Sequence, residues 1–166
     1  MEEFQTVFGS VADYRKGTLE IINDNPKYYT FSNIFDVVAK AAPYQKTAVA
    51  KNLEYVIEAI RAEGVSPWYA CSHDEYVWLL DGNVRIDLVQ LDDADQIVPA
   101  DTEGTLLLEG EPEGKKMGWI GLGKGHQALL PKRCAYRFTA DAVAAMMQQT
   151  IHGPLTLERW AEICEC

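Results

Sequence analysis

Cys71, His73 and Glu75 follow one another at two-residue intervals, and their side chains are of the kinds that bind iron or zinc. A strand turns alternate residues to one face, so Tyr69, Cys71, His73 and Glu75 line one surface if the strand runs unbroken. Consecutive members of such a row stand about 7 Å apart and do not converge on one ion. Two readings follow: a rearranged Cys/His/Glu metal site, or a polar pocket whose members satisfy one another by hydrogen bonds. A buried Glu75 needs such partners, or it stays protonated.

Other residues with chemical potential read as structural. His126 follows Gly125 directly and is expected near the mouth of a barrel, and His152 precedes Gly153 and Pro154 in a turn. The three histidines show no spacing of a metal helix or facial triad. There is no G-x-S-x-G, and Cys134 lies in no nucleophile motif. Gly118, Gly121, Gly123 and Gly125 miss the spacing of a phosphate loop and read as bulges or barrel corners. Trp68, Trp78, Trp119 and Trp160 read as core or interface anchors.

The elements that must position these residues are mostly strands. Residues 1 to 30 read as irregular, with "GTLEIIND" as a possible short strand. "SNIFDVVAKAAP" predicts a short helix capped by Ser32 or Asn33 and ended by Pro43. "KNLEYVIEAIRAEG" also fits a strand buried on both faces, but its pattern alone leans to a helix with Gly64 as C-cap. From residue 65, short runs rich in Val, Ile, Tyr and Trp alternate with turn signals. "WYACSHDEYVWLL" meets Asp81-Gly82-Asn83, a hairpin signal, before "VRIDLVQL". "TLLLEG", "KMGWIGLG", "QALLP", "AYRFTA" and "AAMMQQTI" complete the pattern of a sandwich or barrel. "TLERWAEIC" returns to helical spacing, with Thr156 as its cap.

Composition bounds the partners. A chain of 166 residues suits one domain, and 48% hydrophobic with 24% charged residues is ordinary for a globular protein. A net charge of -10 repels a phosphate backbone, which speaks against nucleic acid. Eight carboxylates lie between Asp92 and Glu113 with no Lys or Arg among them. They read as a solvated loop, with a docking patch for a basic partner as the alternative. The opening "MEEFQTVFGS" is acidic, and no apolar run reaches membrane length, so a soluble, cytoplasmic protein without membrane contact is expected. The cysteines are expected as reduced thiols, and Cys164 with Cys166 at the C-terminus makes no metal site alone.

Glu75 and Gly82 form E-x6-G, and Gly125 and Pro131 form G-x5-P. In this order, among short strands, the two spacings resemble the halves of the cupin signature over roughly residues 50 to 153. The resemblance implies a mainly β, cupin-like jelly-roll barrel and makes "EYVIEAIRAEG" a strand. The division it suggests is an N-terminal extension with a short helix at 1–45 and the barrel with a C-terminal helix at 46–166. The family's glutamate ligand falls on Glu75. Its two histidines fall on Tyr69 and Cys71, or on Trp68 and Ala70, and its last histidine falls on Tyr136. The family's metal is therefore not expected here. The preferred reading is a barrel pocket of Tyr69, His73, Glu75 and Tyr136, with Cys71, His73 and Glu75 as the alternative metal set.

The stretch from "KYYTFSNIFDVVAKAAP" to "LLDGNVRIDL", with "GHQALLPKRCAYRF" and "LTLERWAEI", resembles the small (alpha) subunit of two-component hydroquinone ring-cleaving dioxygenases. That resemblance implies a larger catalytic cupin subunit carrying Fe(II), an α2β2 heterotetramer, and ring cleavage to 4-hydroxymuconic semialdehyde in 4-nitrophenol or 4-hydroxyacetophenone breakdown. On this reading no residue of this chain is catalytic, and none binds the iron. Two rivals are an autonomous cupin metalloenzyme built on Cys71, His73 and Glu75, and a cupin that binds a small ligand without turnover.

Overall fold

The computed structural model describes residues 9–14, 20–24 and 32–163. Helix α1 spans Ile34–Lys40. Asn33, rather than Ser32, caps it: its side-chain oxygen accepts from the backbone N–H of Phe35 (2.9 Å) and Asp36 (3.3 Å). Val37 and Val38 pack on Val49, Ala59 and Ala145, so α1 covers part of the sheet's outer face.

One curled sheet follows. Its strands are β1 Lys46–Asn52, β2 Tyr55–Val65, β3 Trp68–Cys71, β4 Glu75–Asp81, β5 Asn83–Leu91, β6 Thr105–Leu108, β7 Gly114–Gly123, β8 Gln127–Leu130, β9 Cys134–Ile151 and β10 Thr156–Leu157. Two short helices join them, α2 Ala94–Ile97 after β5 and α3 Trp160–Ile163 after β10. The axis is β9. Its first half pairs with β3 through Tyr69↔Tyr136 and with β5 from Arg85↔Thr139 to Gln90↔Cys134. Its second half lies between β2 and β4. Ile60, Leu79, Ile86, Leu130, Phe138 and Met146 fill the interior. Each such side chain contributes about 1.5–3 kcal/mol by leaving water. This is the mainly β, cupin-like jelly roll, with a short N-terminal helix and a C-terminal helix.

The Asp81-Gly82-Asn83 hairpin forms as the sequence implies. Gly82 has φ +84, and a Cβ there would lie 2.6 Å from the Cβ of Ala144, so no other residue fits without strain.

The strand expected over "EYVIEAIRAEG" forms as β2, after the end of β1 and a turn with Leu53 at φ +57. Several other expectations change. Gly64, at φ +71, sits at a register shift opposite β9 instead of capping a helix. "WYACSHDEYVWLL" is two strands. Ser72 Oγ donates to the Thr102 carbonyl (2.7 Å), and Asp74 Oδ1 accepts from the Lys132 N–H (2.9 Å). These side-chain bonds to backbone replace the ladder between Cys71 and Glu75. "AYRFTA" and "AAMMQQTI" are one strand of 18 residues.

The acidic stretch is more than a solvated loop. It contains α2 and β6, because Val98, Leu106 and Leu108 find cover against Trp68 and Ala70. Thr156 belongs to β10 and caps no helix. No strand forms over Glu20–Asp24. The rest of "GTLEIIND", and Cys164 with Cys166, lie outside the described residues.

Candidate functional site

The inward rows of β2 and β9 begin apolar and turn polar toward one end of the barrel. On β2 they read Ala62, Ile60, Glu58; on β9, Ala144, Met146, Gln148, Thr150, all buried. Glu58 and Gln148 are direct partners across the two strands. Lys46 opens β1 opposite Ile60 and reaches into the same end. Glu75 opens β4 and Thr105 opens β6, so both side chains enter from strand ends.

Together these residues form one buried network. Tyr136 donates to Glu75 Oε2 (2.5 Å), and Thr105 donates to Glu75 Oε1 (2.6 Å). Gln148 Nε2 donates to the Tyr136 hydroxyl (3.0 Å), and Lys46 Nζ donates to Gln148 Oε1 (2.8 Å). The Lys46 ammonium pairs with Glu58 Oε2 at 3.5 Å and lies 5.1 Å from the centre of the Tyr69 ring. Thr156 donates to Glu58 Oε1 (2.7 Å). Glu58, Glu75, Tyr136 and Gln148 are all 0% exposed, and Lys46 is 3% exposed. Both Glu75 oxygens are hydrogen-bonded, whereas Glu58 Oε2 is buried without a hydrogen bond and relies on the Lys46 charge.

The electrostatics follow from the contacts. Burial alone would push the Glu75 carboxyl up. The Lys46 charge and hydrogen bonds from Thr105, Thr150 and Tyr136 outweigh it and hold the group below the usual carboxylate range. Burial, with Glu75 beside it, pushes the Tyr136 hydroxyl well up. Burial and the nearby Glu58 push Tyr69 up to about 12. Burial and Glu75 also push the Cys71 thiol up. The thiol and both phenols therefore keep their protons near neutrality, and the network is suited to holding charge rather than to shuttling protons.

The break after β3 alters the first row of candidates. Because the chain bends over Ser72–Asp74, ligand atoms of Cys71, His73 and Glu75 come within 4.8 Å of one another. An unbroken strand would hold them apart. Cys71 Sγ donates to the His73 carbonyl (2.8 Å). His73 Nε2 lies 3.0 Å from Thr150 Oγ1 and accepts from the Ile151 N–H (3.2 Å). His73 Nδ1 is buried without a hydrogen-bond partner. Tyr69, at 4% exposed, stacks obliquely on Tyr136 with ring centres 5.7 Å apart. Of the four pocket residues expected, Tyr69, Glu75 and Tyr136 meet in the interior, while His73 lies at its partly open edge beside Thr150.

Of the positions that the cupin resemblance assigned to metal ligands, Tyr69 and Tyr136 present rings, Cys71 donates to a backbone carbonyl, and both Glu75 oxygens already accept hydrogen bonds. Two of these residues, Cys71 and Glu75, nevertheless converge with His73 into a cluster with metal-binding donor chemistry.

His126 accepts from the Gly123 N–H at Nδ1 (3.1 Å) and shapes the turn before β8. His152 lies 3.1 Å from Glu158. Cys134 Sγ rests 3.3 Å from Met117 Sδ. The sequence reading missed Lys46, Glu58, Thr105, Gln148 and Thr150. The available signal was a polar residue in phase with an inward apolar row, as at Gln148 and Thr150.

No protein-family model matches the chain, and no curated protein matches it. Solved structures do. A chain of hydroquinone 1,2-dioxygenase from Sphingomonas sp. TTNP3, with 4-hydroxybenzoate bound, is 52% identical over 98% of each chain, with a TM-score of 0.94. A chain of the hydroquinone 1,2-dioxygenase PnpCD, in complex with Cd2+ and 4-hydroxybenzonitrile, is 46% identical over 100% of this chain and 99% of that one, with a TM-score of 0.93. A longer chain of PnpCD, in complex with Fe3+, shares the fold alone: 9% identity and a TM-score of 0.62, with 40% of its length covered.

Proposed function

This chain belongs to the hydroquinone 1,2-dioxygenase family within the cupins, and on that premise we propose that it is the shorter, non-metal-binding subunit of a two-subunit Fe(II) enzyme. The enzyme adds both atoms of dioxygen to hydroquinone and opens the ring to 4-hydroxymuconic semialdehyde, in the breakdown of 4-nitrophenol or 4-hydroxyacetophenone. One observation carries the reading. This chain matches, end to end, the shorter of two chain types found under the same enzyme names, and covers only 40% of the longer one. The iron, in this reading, activates dioxygen in the longer chain. The misfit at Tyr69, Cys71 and Tyr136 supports that division. The reading places the enzyme in the cytoplasm, where thiols such as those of Cys71 and Cys134 stay reduced.

An apolar outer face of the barrel supports pairing with the longer chain. Outside the barrel, Tyr76, Trp78, Leu129 and Met147 form an apolar face that runs on past Ile57 to Tyr55, with Lys51 at its rim. Tyr76 and Trp78 stack with ring centres 6.3 Å apart. Two adjoining hollows of about 360 and 300 Å3 share Ile57 as a common wall. Aromatic residues without charge are the composition of an interface core. In this reading the longer chain covers this face, and two such pairs make an α2β2 assembly.

The test is to purify the chain with its longer partner, weigh the assembly by native mass spectrometry and count the iron. Hydroquinone cleavage by the pair, with about one iron per longer chain, supports the proposal. Equal cleavage by this chain alone with Fe(II) overturns it. A second reading, an autonomous metalloenzyme, draws on the convergence of Cys71, His73 and Glu75. It requires bound metal in the isolated chain that Glu75→Ala abolishes.

A further inference from the structure

The misfit between this barrel and a metal has a positive counterpart. Two carboxylates, Glu58 and Glu75, lie inside with no exposure. Two buried anions of like charge need a cation nearby. Among the described residues, Lys46 is the one buried basic side chain. Its ammonium touches Gln148 Oε1 at 2.8 Å, pairs with Glu58 at 3.5 Å and lies over the Tyr69 ring at 5.1 Å. Through Gln148 it connects to Tyr136, and through Tyr136 to Glu75. Tyr69, Glu75 and Tyr136 occupy three of the positions that carry metal ligands in the resembled cupins.

We propose that the Lys46 ammonium is the built-in cation of this barrel, taking the electrostatic place of a metal and keeping divalent ions off the neighbouring Cys71–His73–Glu75 cluster. The inference deepens the reading that this chain holds no metal. The cluster has a soft thiol, an imidazole with a buried unpartnered nitrogen and a carboxylate, a donor set suited to zinc or cobalt. A dication there would compete for a Glu75 that the Lys46 network already engages, with a like charge fixed in the same interior. Remove the ammonium and the two carboxylates attract a cation, and the cluster becomes the place for it.

The experiment is a Co(II) titration of the full chain, read by near-ultraviolet thiolate-to-cobalt charge transfer. Wild type is expected to give no such band. Lys46→Met is expected to take up about one Co(II) per chain with the band, and adding Cys71→Ser to remove it. If Lys46→Met does not fold, Lys46→Gln removes the charge while keeping a donor toward Gln148 Oε1, with both carboxylates and the cluster intact. A Cys71-dependent band in wild type overturns the proposal, as does a folded Lys46 variant that binds no cobalt. If the chain is stable only with its longer partner, the titration is run on the complex, because Cys71 dependence assigns the band to this chain. Iron content and ring cleavage test the subunit reading separately, so either idea can fail while the other stands.

Discussion

The hydroxyl of Tyr136 donates a 2.5 Å hydrogen bond to Glu75 Oε2 at a depth where neither residue has any exposure. The same hydroxyl accepts from Gln148 Nε2 at 3.0 Å. One oxygen atom therefore joins the Glu75 end of the network to the Lys46 end.

Tyr136→Phe deletes that atom and leaves the ring in place. A buried carboxylate loses a donor and a buried amide loses an acceptor, so the cost is about 2–4 kcal/mol. Urea denaturation measures it: the midpoint should fall with an unchanged slope. A midpoint equal to wild type would mean that the network contributes nothing to stability.

Acid should expose the charge on Glu75. Its folded-state pKa lies below the ordinary value of 4.5. Its contribution to stability is therefore complete above that ordinary value and is lost as pH falls through the lower folded one. Glu75→Gln removes this dependence. Thermal unfolding from about pH 7 down to about pH 3 should show wild type losing more stability than the variant below about pH 4.5. Parallel curves would refute the assignment.

Lys46→Met should cost about 3–5 kcal/mol, because Glu58 and Gln148 Oε1 are left buried without their cation. Glu58→Gln on the same background should recover part of that loss. A double-mutant cycle on Lys46 and Glu58 should give a coupling of at least about 1 kcal/mol. Additive effects would show that the two side chains act independently.

On the outer face, Tyr76 is 44% exposed and its cross-strand partner Leu129 is 43% exposed. Tyr76→Asp or Leu129→Asp should leave the fold of this chain unchanged by circular dichroism. Either should weaken pairing with the longer chain by about 2 kcal/mol, roughly thirtyfold in Kd. Full-strength pairing would place the interface elsewhere on the barrel.

Replacement of Gly82 tests the hairpin that leads from β4 into β5. Gly82→Ala puts a Cβ at 2.6 Å from that of Ala144 on a backbone at φ +84. A loss of about 1–3 kcal/mol in denaturant unfolding is expected. An unchanged midpoint would mean that the turn relaxes freely.

What the sequence determined by itself is local. Alternating Val, Ile, Tyr and Trp between turn residues makes strands, because a pleat repeats every two residues whatever surrounds it. Asp81-Gly82-Asn83 makes a hairpin because only glycine takes that φ freely. Asn33 caps α1 because its side chain reaches N–H groups two and three residues ahead. The E-x6-G and G-x5-P spacings bracket β4 and β8, which pair with each other in the barrel. Tertiary structure decided the interior. Cys71, His73 and Glu75 converge because Thr102 and Lys132, distant in the chain, bond to Ser72 and Asp74 and break the strand between them. Lys46 meets Gln148 across 102 residues, and Tyr136 meets Glu75 across 61. No spacing encodes such meetings. They arise where the curled sheet brings the polar ends of inward rows together, and burial then requires each charge to find its partner.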